Sequence, residues 1–403
     1  MTSAPSGRRL LLLTAFLAFV SIGFPDAVLG VAWPSIRETF GRPRADLGFI
    51  LFGAGAGYFL SGAFSGKAIE RLGVGRLLTV STTCVALGLL GYVVSLSFWV
   101  LLAVAALIGC GSGAVDAGLN YYASEHFSMR VMNWMHAFFG IGAMIGPFIM
   151  AGVLSADLSW RVGYAIVATG IALMAITFAF TSSLWTDQHH AAATEEAPTA
   201  VRSRDALRLP LVWLQMALFF FMTGVEASAG AWAFTLLTER FEMDKGPAGL
   251  WAGMYWGAIA AGRLLLPTIT HTLAPSRVVQ LGCYGLVVGA LLMVPNTEFC
   301  YLAGLVLFGL AMAPMFPTLM SLTPIRLGKR VSMHAIGFQV SMAVAGGVAI
   351  PSLAGVLSDR SSHAAIPVVI LIGVVVVTVL ESRLRTLTPD GVPSSGTVEP
   401  AAA

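Results

Sequence analysis

Charged side chains are scarce in this sequence. Asp, Glu, Lys and Arg make up only 11% of the 403 residues, whereas soluble domains carry about 25%. The chain therefore lacks the polar residues that would cover a water-exposed surface. Hydrophobic residues account for 57%, and the mean hydropathy is +0.83. This composition predicts an integral membrane protein, and the small net charge of +3 gives no indication of a nucleic-acid partner.

Cysteine is also rare, and the spacing of the cysteines gives no indication of disulfide bonds or a metal site. The four residues are Cys84, Cys110, Cys283 and Cys300, and none of them pair at C-x-x-C spacing. Three lie within apolar runs. We interpret them as packing residues and predict neither a disulfide framework nor a metal site.

Motifs of the common enzyme classes are missing as well. The sequence has no G-x-x-x-x-G-K-[ST], no H-E-x-x-H and no G-x-S-x-G, which argues against ATP binding of the P-loop type, a metalloprotease or a serine esterase. Its glycine-rich stretches lie in apolar helices and do not follow a strand, so they do not form a dinucleotide-binding fingerprint. We expect no enzymatic activity and no cofactor.

Long apolar stretches are what the sequence does contain. We predict twelve membrane-spanning helices of about 17–25 residues, which begin near Leu10, Leu47, Val74, Trp99, Trp134, Val162, Pro210, Ala248, Val278, Tyr301, Met333 and Ala365. The first follows Arg8 and Arg9 as in a signal peptide, but it lacks an A-x-A-like cleavage stretch, so we expect it to be a helix. The predicted fold class is an all-α integral membrane protein with two six-helix halves.

A single long polar segment separates these halves. We predict an N-terminal half over 1–184, a cytoplasmic linker over 185–209 and a C-terminal half over 210–386. The remaining residues, 387–403, are rich in Pro, Gly and Ala, so we expect a disordered tail.

The two halves share a repeated segment. "PFIMAGVLSAD" begins at Pro147 and "PSLAGVLSD" begins at Pro351, and the identical residues AGVLS fall on the fifth helix of each half. A weaker match places Gly-Lys and Gly-Arg at the ends of helices two and eight, at Lys67 and Arg263. Together these matches favour an internal duplication, which is common in transporters.

Lysine and arginine in the loops predict the orientation. If the N-terminus is cytoplasmic, the inner segments hold about twice as many as the outer loops, as the positive-inside rule requires. The outer exceptions are Arg37, Arg42, Arg44, Arg161, Arg240, Lys245 and Arg360. We therefore expect a multi-pass protein of a bacterial cytoplasmic membrane, with both termini in the cytoplasm.

The loop between helices two and three reads "GKAIERLGVGR". Its glycines permit a sharp reversal, and its charges are either membrane anchors in a solvated loop or a gate that holds one conformation. The predicted gating residues are Gly66, Lys67, Glu70, Arg71, Gly73 and Arg76, together with Arg263 on helix eight.

This loop resembles the G-x-x-x-D-R-x-G-R-R signature of the major facilitator superfamily, with Glu70 in place of Asp and Gly75 as a further departure. Four other segments are similar to the fucose–galactose–glucose:proton symporter branch and its relatives: "NWMHAFFGIGAMIGP", "GVEASAGAW", "YWGAIAAGRLL" and "GLAMAPMFPTLMSL". The resemblance implies a twelve-helix transporter that works by alternating access. It identifies a branch and does not specify the solute.

Ionisable residues within the spanning helices are candidates for function, because a charge in hydrocarbon is costly. Asp26 lies about 24 Å along the first helix and Asp116 about 26 Å along the fourth. The two carboxyl groups would therefore lie at different depths, as a proton path requires. The branch resemblance implies an acidic residue on helix one and an acidic residue with an asparagine on helix four. Asp116 and Asn120 match that pattern, since residues four apart share a helix face, whereas Asp26 lies one turn early.

Each of these residues also has a structural interpretation. Asp116 could belong to an ion pair, and Asp26 could cap a helix kinked by Pro25. Glu226 is a candidate for the solute path in the C-terminal half, and His136 is either a packed histidine or a contact to the solute. The aromatic residues Trp232, Tyr255 and Trp256 could stack on a sugar or simply pack between helices.

Sequence alone therefore predicts a monomeric, proton-coupled symporter of a small polar solute such as a monosaccharide. Asp116 and Asp26 would couple the proton. Two alternatives stay open. The same carboxyl groups would serve a proton-driven antiporter that exports drugs or metabolites, and a sensor or scaffold could be built on the same fold.

Overall fold

The computed structural model describes residues 5–127, 129–185, 206–270 and 272–388. These residues form helices and short connections, without a β-strand among them. The helices are α1 (Pro5–Asp26), α2 (Val28–Thr39), α3 (Leu47–Val94), α4 (Phe98–His126), α5 (Met129–Ser155), α6 (Trp160–Thr181), α7 (Pro210–Glu239), α8 (Lys245–Thr270), α9 (Pro275–Met293), α10 (Glu298–Met312), α11 (Met315–Arg360) and α12 (Ala365–Leu387). The predicted all-α architecture is confirmed.

The first membrane crossing is broken near its middle. Helix α1 ends at Asp26 and α2 begins at Val28, directly after Pro25, which lies inside α1. A proline lacks the N–H group that a continuous helix needs, and its ring crowds the preceding turn. The kink predicted at this point is therefore confirmed.

Helix α3 contains two crossings joined at Gly73. It is 48 residues long, and Gly73 has φ 73° and ψ 160°, outside the helical region. Both parts of α3 pack on the same part of α4: a Cβ on Gly57 would lie 2.1 Å from the Ala106 carbonyl oxygen, and one on Gly88 would lie 2.5 Å from Ile108. The chain therefore folds back at Gly73, as the glycine-containing loop predicted.

Helix α11 repeats this construction in the C-terminal half. Gly328 has φ 75° and ψ 156° within its 46 residues, nearly the same backbone conformation as Gly73. The part before Gly328 completes the tenth crossing begun by α10, and the part after it forms the eleventh. The second AGVLS segment, 354–358, lies on that eleventh crossing, which is the fifth of its half, as predicted.

Counting α1 with α2 as one crossing and α3 as two gives the twelve predicted crossings. In the described part of the chain, ten helical stretches are long and apolar enough to span a membrane, and the 51-residue stretch Arg44–Val94 can do so twice. Counting that stretch twice gives eleven crossings, and helix α8 is the twelfth. It lies against α5 at the interface between the halves.

The two halves meet along three pairs of helices: α2 with α7, α3 with α11, and α5 with α8. Glycine brings α8 close to α5, because a Cβ on Gly249 would lie 2.0 Å from Ala151 Cβ and one on Gly253 would lie 2.3 Å from the Phe148 ring. Gly55 approaches Val348 of α11 in the same way, whereas Gly53 and Gly57 face α4. The glycines of helix two thus serve packing both within one half and between halves.

The boundaries predicted for the linker and the tail stay predictions. Most of the linker, 186–205, and most of the tail, 389–403, lie outside the described residues.

Candidate functional site

Asp116 lies on α4 in a cluster of hydrogen bonds. Its Oδ1 accepts a hydrogen bond from the Asn120 amide at 2.8 Å, and its Oδ2 accepts one from the Tyr58 hydroxyl at 2.6 Å. Asn120 also donates to the Asp116 backbone carbonyl at 2.9 Å. Both of these donors are neutral, and no ion pair reaches Asp116 among the residues that the structure describes. The carboxyl group is therefore held by partners that also tolerate its protonated form.

Sequence reasoning did not identify Tyr58. It reaches Asp116 because α3 and α4 approach each other at Gly113, where a Cβ would lie 2.4 Å from the Tyr58 carbonyl oxygen. The available signal was its position one residue after Gly57, within the small-residue stretch of helix two.

A second polar cluster lies between the two halves. Arg263 of α8 lies 3.9 Å from the Glu226 carboxylate of α7, and both side chains are mostly buried. His136 of α5 is close enough to Arg263 to interact with it electrostatically, and the ring of Phe19 packs edge-on against His136. The structure thus brings together Glu226, Arg263 and His136 from both halves, as a site between the halves requires.

Two polar atoms on the helices of this cluster, α7 and α8, lack a hydrogen-bond partner among the described residues. In the described part of the chain, Arg263 Nε and Thr223 Oγ1 are buried and have no hydrogen-bond partner. Thr223 precedes Glu226 by three residues, so the two lie on one face of α7. That spacing could have identified Thr223 from the sequence.

The predicted aromatic residues occupy different environments. Trp232 and Tyr255 are wholly buried: the Trp232 indole donates to the Pro351 carbonyl at 3.0 Å, and the Tyr255 hydroxyl donates to the Glu226 carbonyl at 2.9 Å. Trp256 is partly exposed and rests on Gly230, where a Cβ would lie 2.5 Å from its ring. This placement favours a packing role for Trp232 and a role in shaping the cluster for Tyr255. Stacking on a sugar stays a prediction, and Trp256 fits it best.

Asp26 lies at the C-terminal end of α1, where the first crossing breaks. Its side chain falls outside the part of the structure that is described, so its proposed role in proton coupling stays a prediction.

The loop predicted to act as a gate is exposed in this conformation. The side chains of Lys67, Glu70, Arg71 and Arg76 are all exposed. No described neighbour lies within 4 Å of a Cβ added at Gly66. The loop therefore does not clamp the two halves together here, and its gating role stays a prediction.

Ion pairs join the halves at the opposite end of the bundle. Glu239, the last residue of α7, contacts Arg37 at 2.6 Å and Arg44 at 2.9 Å, both from the N-terminal half. His363 approaches the same carboxylate at 3.0 Å. Asp359 accepts hydrogen bonds from the backbone N–H groups of Arg44 and Ala45 at 3.2 and 2.7 Å. We call this set the ion-pair end.

Sequence reasoning missed this set, although a signal was present. Arg37, Arg42 and Arg44 crowd a short loop that the positive-inside rule expects to be poor in arginine.

The halves separate with distance from the ion-pair end. Near it, Gly48 packs on Ser352, and a Cβ on Gly55 would lie 2.6 Å from Val348. Farther along the same helices, Gly62 and Gly337 have no described neighbour within 4 Å of an added Cβ. The structure is therefore closed at the ion-pair end and open between α3 and α11 towards the other end.

Comparisons with known proteins agree with this architecture. The solved structure of the nucleoside transporter NupG superposes with a TM-score of 0.68 at 15% identity and covers 94% of this chain and 98% of its own. FucP, a major facilitator superfamily transporter solved in the outward conformation, superposes with a TM-score of 0.66 at 15% identity and covers 93% of this chain and 98% of its own. These likenesses show the fold.

Sequence relatives are mainly sugar transporters. The mouse sodium-dependent glucose transporter 1A is 22% identical over 86% of this chain and 89% of its own. The glucose/mannose transporter GlcP of Bacillus subtilis is 20% identical over 85% of this chain and 86% of its own. Bypass of stop codon protein 6 of Saccharomyces cerevisiae is 23% identical over 89% of this chain and 79% of its own.

The family model described as the Major Facilitator Superfamily matches residues 11–351. Its match spans both halves, the loop at Gly73 and the cluster between the halves. The chain therefore belongs to the major facilitator superfamily and is a membrane transporter, not an enzyme, with sugar transporters among its relatives.

Proposed function

We propose that this transporter is a proton-coupled symporter of a small polar solute such as a monosaccharide. The observation that carries the proposal is Asp116, a carboxyl group inside a membrane-spanning helix whose described partners, Tyr58 and Asn120, are both neutral. Protonating it breaks no ion pair, so it can take up and release a proton in each cycle. Glu226 differs because Arg263 lies beside it, and an adjacent cation favours the ionised form of a carboxyl group.

The cluster between the halves suits a neutral, hydroxyl-rich solute. Arg263 Nε and Thr223 Oγ1 are buried without a partner among the described residues, and buried polar groups normally form hydrogen bonds. Solute hydroxyl groups can both donate and accept, so they would satisfy these atoms and the Glu226 carboxylate together. The names of the glucose-transporting relatives support the same class of solute.

Alternating access would open and close the two ends in turn around this cluster. The ion pairs of Glu239 hold one end closed while α3 and α11 diverge towards the other. We further propose a monomer in a bacterial cytoplasmic membrane with both termini in the cytoplasm. The distribution of lysine and arginine supports this orientation, and the burial of each half against the other supports a monomer.

Sodium coupling is the second candidate, because several relatives are named sodium-dependent glucose transporters. It would use the same alternating access with a different driving ion.

The test is uptake of a panel of labelled sugars into proteoliposomes under a proton gradient, and separately under a sodium gradient. We expect the wild type to accumulate a sugar under the proton gradient, and Asp116→Asn to lose accumulation. The matched control is Asp157→Asn: Asp157 is exposed and has φ 54°, a conformation that asparagine adopts well. It should accumulate sugar as the wild type does.

Each other outcome has a definite meaning. Accumulation driven only by sodium would support the second candidate. Uptake that ignores both gradients and the Asp116 substitution would contradict the proposal and make Asp116 structural. A protein that moves none of the sugars but expels other compounds under a proton gradient would be an exporting antiporter.

A further inference from the structure

The charged pair between the two halves is loose. An Arg263 guanidinium nitrogen of α8 lies 3.9 Å from a Glu226 carboxylate oxygen of α7, which exceeds the length of a hydrogen bond. The Tyr255 hydroxyl donates to the Glu226 backbone carbonyl at 2.9 Å, and not to the carboxylate. Arg263 Nε is buried without a partner among the described residues. Both charged groups therefore retain hydrogen-bonding capacity that the other does not use.

The enclosed ion pair of the C-terminal half has a different geometry. The Arg326 guanidinium forms two hydrogen bonds with the Glu381 carboxylate, at 3.1 and 2.6 Å. Such direct contact leaves no room for a third group between the charges. The longer separation of Glu226 and Arg263 suits a site in which a solute hydroxyl group donates to the carboxylate and accepts from the guanidinium.

The charges of this cluster balance. The Glu226 carboxylate and the Arg263 guanidinium have opposite charges, and their side chains are only 14% and 17% exposed. His136 interacts electrostatically with Arg263, and a second positive charge at this place is unfavourable because like charges repel. A solute that enters the cluster therefore meets one negative and one positive group, which compensate each other.

This balance determines which solutes the cluster disfavours. Taking an ion out of water is costly unless the site offers an opposite charge that is free to pair with it. An anionic solute could approach Arg263, but Glu226 already compensates that positive charge and repels the anion. Placing two like charges side by side is unfavourable, whereas a neutral solute avoids this cost.

We propose that Glu226 selects uncharged solutes by compensating the charge of Arg263, and that it excludes sugars that carry a carboxylate group, such as uronates. The same carboxylate accepts hydrogen bonds from the hydroxyl groups of a neutral sugar. Replacing it by an amide leaves Arg263 as an uncompensated cation beside the solute, so the variant gains affinity for the uronate. This inference rests on the proposed transport of a small polar solute.

The test compares four forms of the full-length protein, of which the first is the wild type. Glu226→Gln removes the charge and keeps the shape of the side chain. The double variant Glu226→Gln with Arg263→Gln removes both charges and restores the balance. Glu38→Gln is the matched control, because it makes the same substitution at an exposed residue.

Each protein is reconstituted and assayed by counterflow exchange of labelled glucose and glucuronate, and of labelled galactose and galacturonate. Each uronate carries a carboxylate where its neutral partner has a hydroxymethyl group. Counterflow requires no net movement of the driving ion, so the result does not depend on which ion drives transport. We expect the wild type and Glu38→Gln to prefer the neutral sugar, Glu226→Gln to lower that preference by about tenfold or more, and the double variant to exclude the uronate again.

Thermal unfolding in detergent provides a second measurement, which also detects a variant that binds its solute without moving it. A ligand that binds only the folded protein raises the unfolding midpoint. We expect the neutral sugar to raise the midpoint of the wild type and the uronate to raise that of Glu226→Gln.

An unchanged preference in a Glu226→Gln variant that still exchanges sugar would overturn the inference and leave the proposed function intact. The same conclusion would follow from a wild type that exchanges uronates as readily as neutral sugars. It would also follow from a Glu226→Gln variant that unfolds at the wild-type temperature but neither moves a uronate nor is stabilised by one. A wild type that exchanges none of these sugars would contradict the proposed sugar transport, and the inference would fail with it.

Discussion

At the scale of single residues, the carboxyl groups of the interior differ in their partners. Asp116 accepts hydrogen bonds from two neutral side chains, whereas Glu226 lies beside the Arg263 guanidinium. An adjacent cation favours the charged form of a carboxyl group, whereas protonating Asp116 breaks no ion pair. This contrast supports proton carriage by Asp116 and solute binding by Glu226 in the proposed mechanism.

The Arg326–Glu381 pair is the most enclosed ion pair of the described structure. Two hydrogen bonds, at 3.1 and 2.6 Å, join the guanidinium to the carboxylate, and the side chains are only 4% and 5% exposed. Removing one partner leaves the other charge buried and unpaired, which costs about 3–5 kcal/mol. We expect Glu381→Leu to lower the midpoint of thermal unfolding in detergent strongly.

The control for this prediction is the double variant Arg326→Met with Glu381→Leu. It removes both charges, so most of the lost stability should return. A double variant less stable than Glu381→Leu would contradict this account.

At the scale of helices, α3 shows how glycine sets the distance between neighbours. A Cβ on Gly57 would lie 2.1 Å from the Ala106 carbonyl oxygen and 2.9 Å from the Cys110 nitrogen of α4. Both are backbone atoms, so the contact cannot be relieved by a change of rotamer. Gly62, on the same helix, has no described neighbour within 4 Å of an added Cβ.

We expect Gly57→Ala to destabilise the protein by about 1–3 kcal/mol, the usual cost of overpacking, and Gly62→Ala to have little effect. Thermal unfolding of the two purified variants measures the difference. Equal unfolding midpoints would show that α3 and α4 can separate without loss.

The turn at Gly73 requires glycine because of its backbone conformation and not because of a close contact with another helix. Its φ of 73° and ψ of 160° fall in a region that is essentially restricted to glycine. We expect Gly73→Ala to cost about 1–3 kcal/mol of unfolding free energy. Gly66→Ala serves as the comparison, because Gly66 lies in the helical part of α3 and a Cβ there would meet no described neighbour. A Gly73→Ala variant as stable as Gly66→Ala would contradict this reading of the turn.

At the scale of the whole molecule, the two halves are joined at one end by Glu239. This carboxylate of the C-terminal half contacts both Arg37 and Arg44 of the N-terminal half. Because it connects the halves directly, its charge contributes to the balance between the conformations open at either end. A change at this residue should therefore shift populations without changing the fold.

We expect Glu239→Gln to increase the population that is open at the ion-pair end. Spin labels at Leu158 and Phe299, which are both exposed and lie at that end of opposite halves, would report a longer distance in pulsed electron spin resonance. Glu38→Gln is the matched control, since Glu38 is exposed next to Arg37. Identical distance distributions for the wild type and Glu239→Gln would show that the ion pairs do not hold this end closed.

The sequence by itself determined the class, the crossings and the polar positions along each helix. Apolar runs predict spanning helices because the bilayer requires them, and a spacing of four placed Asn120 on the face of Asp116. Pro25 and Gly73 marked the breaks, because each acts through its own backbone. All of these features depend on residues that are neighbours in the chain.

Only the tertiary structure decided which distant residues meet. Tyr58 reaches Asp116 because Gly113 lets two helices approach, Glu239 meets Arg37 across 202 residues of chain, and Trp232 is buried against α11 through its bond to Pro351. Helix–helix contacts of this kind depend on how twelve crossings are arranged and on which end is closed. The pattern of a single helix carries no record of that arrangement, because each helix satisfies its own backbone and can pack against several neighbours.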